Sequence, residues 1–369
     1  MADVLIVGGG AIGCAAAFFL ARAGAAVTLL ERGELAGEAT GASAGMLAAL
    51  SDEGGDRGPT FQSLCLESLQ LYEALLPVLE ATGIDVRYRR AGVLHVALDG
   101  GQAEGLRERF EGQKAAGRDV RWLDASEVAR VEPQISPGAV AAMLSPTEPY
   151  LDPQGLAQAL AAAARQHGAV IETGVAVRRL GVKDGRPRAL AVDGRVHEAE
   201  TMVVAAGPWT AALARPLGVR VPVRPVRGQM LSLRGPAAPL RHVIWGDHAY
   251  LVPREEGQTF VGATVEDVGF RKRTTVAALR RLEQAAIGLV PGLAKAPRLG
   301  AWAGLRPASA DGLPIIGPLP GQANVWVATG HFRNGILLAP ITGQLLAESI
   351  VAGRPDPVLA PFSPDRFGG

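Results

Sequence analysis

The sequence is poor in cysteine, in histidine, in net charge and in long apolar runs, and each shortage removes a class of protein. Only two cysteines occur in 369 residues, Cys14 and Cys65, too few for a disulfide framework or a cysteine metal site. Both read as small buried hydrophobes. The six histidines have no carboxylate or serine partner at a spacing that suits a hydrolytic triad or a metal, so neither is expected. A formal charge of +1 offers nothing to nucleic acid or to an anionic membrane surface. The most apolar stretch is broken by Arg22, and with no charged segment or cleavage pattern before it, a cytoplasmic protein is expected. What remains is a globular chain, 48% hydrophobic and 20% charged, long enough for two domains and suited to a small-molecule partner.

What is present begins almost at the first residue. Asp3 to Val7 is an apolar run suited to a buried parallel strand, Gly8-Gly9-Gly10-Ala11-Ile12-Gly13 has the G-x-G-x-x-G spacing, Ala11 to Ala23 reads as a helix, and a second strand ends at Glu31. Gly8 permits a tight turn, Gly10 lets a pyrophosphate approach the backbone, and Gly13 lets helix and strand pack closely. The helix start adds free N–H groups and a positive dipole end. Glu31 can accept hydrogen bonds from a ribose 2′-hydroxyl and would repel a 2′-phosphate. NADP is therefore disfavoured, and the choice lies between FAD and NAD.

A nicotinamide domain would begin another βαβ unit after Glu31. Instead Arg32 to Met46 reads RGELAGEATGASAGM, small residues along which backbone can lie against a long ligand, or a plain linker. With V-G-G-G-A-I-G, L-L-E-R-G and A-T-G-A-S-A-G-M-L, the chain resembles the FAD-dependent amine oxidoreductases of the D-amino-acid oxidase family, and within it the glycine oxidases of thiamine biosynthesis. The resemblance covers essentially the whole chain, weakest from Gly100 to Arg130. It implies FAD contacts at Ala11, Ile12, Glu31, Arg32, Ala39, Thr40, Ala44, Gly45 and Met46. The flavin is expected to be non-covalent, because both cysteines lie in the first 65 residues and no histidine falls between Gly33 and Leu50.

The remaining patterns predict an α/β fold, an FAD-binding Rossmann-like domain (1–83, 142–220 and 299–369) interleaved with an antiparallel-sheet substrate domain (84–141 and 221–298). Ile84 to Ala141 alternates strand-like runs with charged helices, one of them opened by a capping box of Asp124 and Glu127. Val221 to Arg298 is rich in strands and carries a helix from Thr275 to Leu289. Ser51 to Thr60 is polar and glycine-rich; by composition it is a surface loop, and the resemblance implies a cover for the active site. Leu151 to Gly168 reads as an alanine-rich helix, with Ala169–Ile171 and Gly174–Leu180 as strands returning to the nucleotide domain. The resemblance matches Val175 to a position touching the adenosine of FAD. Thr201 to Trp209 is a buried strand with a turn at Gly207, open either to a cofactor or to a tight strand-to-helix connection.

Arg306 lies in an apolar segment bounded by glycine and proline, an awkward place for a guanidinium unless something anionic meets it. A planar fork suits a carboxylate, and an ion pair with Asp311 is the alternative. Tyr250 sits on a strand, where tyrosines usually serve as half-buried packing. The resemblance implies that Arg306 holds the substrate carboxylate with help from Tyr250. It also implies that the loop His331, Phe332, Arg333, Asn334, Gly335, Ile336 and Leu337 passes the flavin, with Arg333 adding positive charge there. The helix predicted from Ile336 onward would point its N-terminus at the flavin.

The implied reaction is oxidation of a small amino acid: hydride leaves the α-carbon for FAD, O2 reoxidises the flavin to give H2O2, and the imine is hydrolysed or passed to thiazole-synthesis enzymes. Val265 is expected in the pocket. Its modest size leaves glycine, sarcosine, proline and small D-amino acids open as substrates. A D-amino-acid dehydrogenase using another electron acceptor is the nearest alternative. The oligomeric state is open, a homo-oligomer included.

Overall fold

The computed structural model describes residues 3–50, 58–236 and 238–368. Among these, three sheets form. In the strand Asp3–Val7 every side chain after Asp3 is buried, as a parallel strand covered on both faces requires. It lies inside a six-stranded sheet of order Ile315–Leu319, Gln322–Thr329, Thr201–Val204, Asp3–Val7, Ala26–Leu30 and Val170–Glu172. Its neighbours Thr201–Val204 and Ala26–Leu30 both run parallel to it, so crossovers are needed, and the helix Ala11–Arg22 makes the first. Ala15, Ala16 and Ala17 of that helix have no exposed surface. Small residues there admit the helices Pro153–Gln166 and Ala339–Ala352 closely; a Cβ added to Gly343 would stand 2.7 Å from the Ala15 carbonyl carbon.

The second sheet has eight strands, in the order Arg298–Ser309, Val223–Arg234, Gln258–Gly262, Tyr250–Arg254, Val243–Trp245, Val93–Ala97, Ala141–Ser145 and Arg121–Asp124. Strand alternation divides its residues between two faces. Leu231, Leu233, Leu251 and Val261 pack with Leu279, Leu282, Ala286 and Leu289 of the helix Val276–Leu289. Met230, Tyr250, Phe260 and Trp302 cluster instead with Ala44 and Met46 of the small-residue loop. This face therefore meets the nucleotide-binding half. The third sheet, Val177–Lys183, Arg186–Ala191 and Val196–Glu198, packs through Leu180, Ala189 and Ala191 against Met202 and Val204.

Several expectations shift in detail. Ala141–Ser145 and Arg298–Ser309 belong to the eight-stranded sheet, so boundaries at 141/142 and 298/299 would cut strands and move to their far ends. That sheet is antiparallel except where Val243–Trp245 joins Val93–Ala97 in parallel; these strands come from separate visits of the chain, and no hairpin fixes their direction. The strand expected near Gly174–Leu180 is Val177–Lys183, in the separate small sheet rather than the nucleotide sheet. Gly58 to Thr60 already belong to the helix Gly58–Glu80, whereas the expected cover at 51–57 lies outside the described residues. The capping box holds: Asp124 Oδ1 accepts from Glu127 N at 2.9 Å and Glu127 Oε2 from Asp124 N at 2.9 Å.

Candidate active site

Between the two sheets runs one cavity of ≈ 440 Å³, within the range of ligand sites. Its first wall follows from the glycine turn. Gly8 has φ +115°, and a Cβ there would stand 2.5 Å from the Ala205 carbonyl oxygen; at Gly13 a Cβ would overlap the Gly8 carbonyl. Glycine alone lets strand and helix close in this way. Gly8, Gly10, Ala11 and Ile12 line the cavity, and the helix begins at Gly10 without a side-chain cap. Ala11 N donates to Thr40 Oγ1 at 3.0 Å, which fixes the small-residue loop over the turn. Glu31 accepts Gly9 N at 2.7 Å and Gly33 N at 2.9 Å. Two backbone donors hold the carboxylate in place while its other lone pairs stay available to hydroxyls.

Arg32, Ala39, Thr40, Ala44, Met46, Val175 and Gly207 join this wall. Gly45 is not part of the lining; a Cβ there would stand 2.0 Å from the Leu151 carbonyl oxygen, so a glycine lets the loop dock at this point. A narrow, small-residue wall with an uncapped helix start and a fixed carboxylate suits a pyrophosphate, a ribose and flat rings. Replacing Glu31 with Gln should leave the purified protein partly without FAD, through a loss of roughly 1 to 2 kcal/mol of charge-assisted bonding. The ratio of visible to ultraviolet absorbance at matched protein concentrations measures this.

The opposite wall comes from the eight-stranded sheet. Tyr250 pairs across strands with Trp245 and Gly262, and all three line the cavity together with Met230, Gly228 and Arg306. Arg306 donates from Nη1 to the Thr264 carbonyl at 3.0 Å, and its guanidinium lies over Gly228, where a Cβ would stand 2.5 Å from Cζ. Asp311, the alternative partner, is taken by Arg366 at 2.7 and 3.1 Å. Burial raises the Tyr250 phenol above its ordinary value, against the pull of Arg306 and Arg333, so it stays protonated and can donate. Arg306, Tyr250 and Arg333 thus surround a place where an anion can be held.

His331 to Ile336 line the cavity, whereas Leu337 is turned into the core, its carbonyl accepting from Ser68 Oγ at 2.6 Å. The helix starts at Ala339, not Ile336. A turn closed by Leu338 N to Asn334 O at 2.8 Å stands between it and the cavity, and Pro340 fits the first turn because it needs no N–H partner there. His331 is buried, 3.0 Å from Thr342 Oγ1 through Nε2, and desolvation pushes its pKa down to about 3. It is neutral and no base for the reaction. Because the unfolded chain binds this proton near pH 6.5, stability is intact above that pH and falls as pH drops towards 3, by up to about 1.4 kcal/mol per pH unit. His331→Gln should flatten that acid-side fall in melting temperature.

Two features carried no sequence expectation. Arg254 donates to the carbonyls of Leu151, at 2.9 Å, and Ala44, with its guanidinium 4.7 Å from the Phe260 ring centroid; it staples the small-residue loop to the sheet. Arg227, also inside an apolar strand, pairs with Glu266 at 2.9 Å. Each, like Arg306, is a guanidinium carried on a largely apolar strand. Conversely, Val265 is half exposed and lies outside the cavity lining. The strand ends at Gly262, so alternation no longer governs which way residue 265 points; Met230, Trp245 and Ala263 shape the wall instead.

A sequence model described as DAO, FAD dependent oxidoreductase, matches residues 3–349. The chain belongs to that family. Its cofactor is therefore FAD, and the cavity wall built by Gly8 to Ile12 and Glu31 fits it. Among curated relatives it is 37% identical to a bifunctional protein ThiO/ThiG of Trichormus variabilis, over 99% of this chain and 55% of the relative, so it spans about half of that protein. Among solved structures, glycine oxidase of Geobacillus kaustophilus superposes with a TM-score of 0.93 at 33% identity, covering 100% of this chain and 99% of the other. Iminodiacetate oxidase of a Chelativorans species superposes with a TM-score of 0.89 at 32% identity, covering 98% and 99%. Among the described residues no helix is long and apolar enough to cross a membrane.

Proposed function

We propose that this protein is a cytoplasmic, FAD-dependent oxidase of glycine or a similarly small amino acid. The observation that carries the reading is the meeting of Arg306, Tyr250 and the small-residue wall in one cavity of a chain belonging to this family. Gly8, Gly10, Ala11 and Ile12 would face the pyrophosphate, Glu31 the ribose, Val175 the adenosine, and Ala39 to Met46 with His331 to Ile336 the remainder of a non-covalently held FAD. When bound, FAD would supply the hydride acceptor and, through O2, the route of the electrons to H2O2.

The chain's own residues bind and orient the substrate. Arg306 takes the substrate carboxylate through two N–H groups, and the Tyr250 hydroxyl donates a further bond. Arg333, exposed at the cavity rim, adds positive charge. With the carboxylate fixed, the α-carbon is aimed and little acid–base help is needed, since the amine reacts unprotonated. The imine leaves to become glyoxylate and ammonia or to enter thiazole synthesis, a partner step supported by the ThiO/ThiG relative. The iminodiacetate relative supports secondary amines as competing substrates.

The test is direct. Acid precipitation should release yellow flavin into the supernatant. Glycine should bleach the holoenzyme without air and yield peroxide with air. Bleaching without peroxide formation would favour a dehydrogenase, and no bleaching by glycine, sarcosine, iminodiacetate or small D-amino acids would overturn the assignment.

A further inference from the structure

The loop Thr264 to Thr275 leaves the strand Gln258–Gly262 of the substrate-side sheet and enters the helix Val276–Leu289. Its root is rigid. The buried Arg227 holds Glu266 at 2.9 Å and the carbonyls of Arg271 and Arg273 at 3.2 and 3.1 Å. Glu266 also accepts from Gln229 at 2.8 Å and from Thr264 at 2.9 Å. Despite the cost of desolvation, these donors hold the Glu266 carboxyl below its ordinary range, so it stays charged.

The far side of the loop lands on the other half of the molecule. Lys272 Nζ meets Glu38 Oε2 at 2.7 Å and the Gly37 carbonyl at 3.3 Å, and the Phe270 ring lies 5.4 Å from that of Trp209. Glu38 in turn pairs with Arg32 at 2.6 Å, and the Arg32 guanidinium stands 3.9 Å from the Trp209 ring centroid. Arg32, Gly37, Glu38 and Trp209 all line the cavity. Phe270 and Lys272 do not line it, and they are otherwise exposed.

We propose that residues 264–275 form a strap that retains the dinucleotide, with Phe270 and Lys272 as positioning residues acting through Trp209 and Glu38. This rests on the FAD reading above. An exposed lysine and a half-exposed phenylalanine contribute little to folding, but here they tie a cavity wall to a rigid root in the opposite sheet. Release of a long ligand lying along that wall requires the wall to loosen, so the two contacts lower the population of the open state. The same loop supplies the Thr264 carbonyl that holds Arg306, so one segment borders both the cofactor wall and the carboxylate site.

The experiment measures FAD release from holoenzyme by flavin fluorescence after dilution, together with the melting temperature of the apoprotein. Phe270→Ala/Lys272→Met should release FAD about tenfold faster, from the combined loss of an aromatic pair and an exposed ion pair, with the apoprotein melting temperature unchanged. Phe270→Tyr/Lys272→Arg keeps both contacts and should release FAD at the wild-type rate. High salt should speed release from wild type more than from the Ala/Met variant, in which the Lys272–Glu38 pair is gone and only Arg32–Glu38 remains on that wall. Equal release rates, or faster release only alongside a lowered apoprotein melting temperature, would overturn the strap while leaving the FAD reading intact. A wild type purified without flavin and unable to take it up would overturn both.

Discussion

Arg306→Lys is expected to lower kcat/KM for the amino acid about 10- to 150-fold with FAD content unchanged, since one charge-assisted bond is worth roughly 1.5 to 3 kcal/mol. The substitution keeps the charge and removes the fork. An ammonium can meet one carboxylate oxygen, but it cannot hold both and so cannot fix the direction of the α-carbon. The competing view, a structural ion pair with Asp311, is disfavoured because both Asp311 oxygens are bound by the Arg366 guanidinium. The Thr264 carbonyl at 3.0 Å engages Nη1, and lysine can keep a single bond of that kind. Melting temperature should therefore move little while kinetics collapse. Near-normal turnover with a lowered melting temperature would remove Arg306 from the active site.

How much of this was legible in the sequence differs between the two sheets for a physical reason. The glycine turn, the helix Ala11–Arg22 and Glu31 are contiguous, and local rules of turn, packing and dipole act on neighbours, so the nucleotide wall could be read from one short stretch. The substrate wall is assembled from Gly228, Tyr250, Gly262 and Arg306, which meet only through strand register. Arg306 was visible as a misplaced charge, whereas Tyr250 looked like ordinary packing by pattern and was singled out only by the family resemblance. Val265, placed in the pocket by comparison with relatives, lies past the end of its strand at Gly262 and outside the cavity lining. Arg254 and Arg227 were open to the same reasoning as Arg306, but their partners are backbone carbonyls and a glutamate distant in sequence, which no spacing rule announces.

Gly228→Ala tests the substrate wall without touching any group that meets the substrate. The site predicts about a hundredfold loss of kcat/KM, because displacing a positioning group by about 1 Å can cost that much. The new Cβ would stand 2.5 Å from Arg306 Cζ, so the guanidinium must move, and as the end of a flexible chain it moves cheaply. Folding should not suffer: alanine is favoured over glycine within a strand by roughly 0.5 to 1 kcal/mol, and Gly228 sits mid-strand opposite Gly304. Activity and stability are thus expected to change in opposite directions, kcat/KM falling while the melting temperature holds or rises. FAD content should match wild type, since the nucleotide wall lies on the other sheet. A Gly228→Ala protein with wild-type kinetics would show that Arg306 does not rest over residue 228 when substrate binds, and the carboxylate site would have to be sought elsewhere in the cavity.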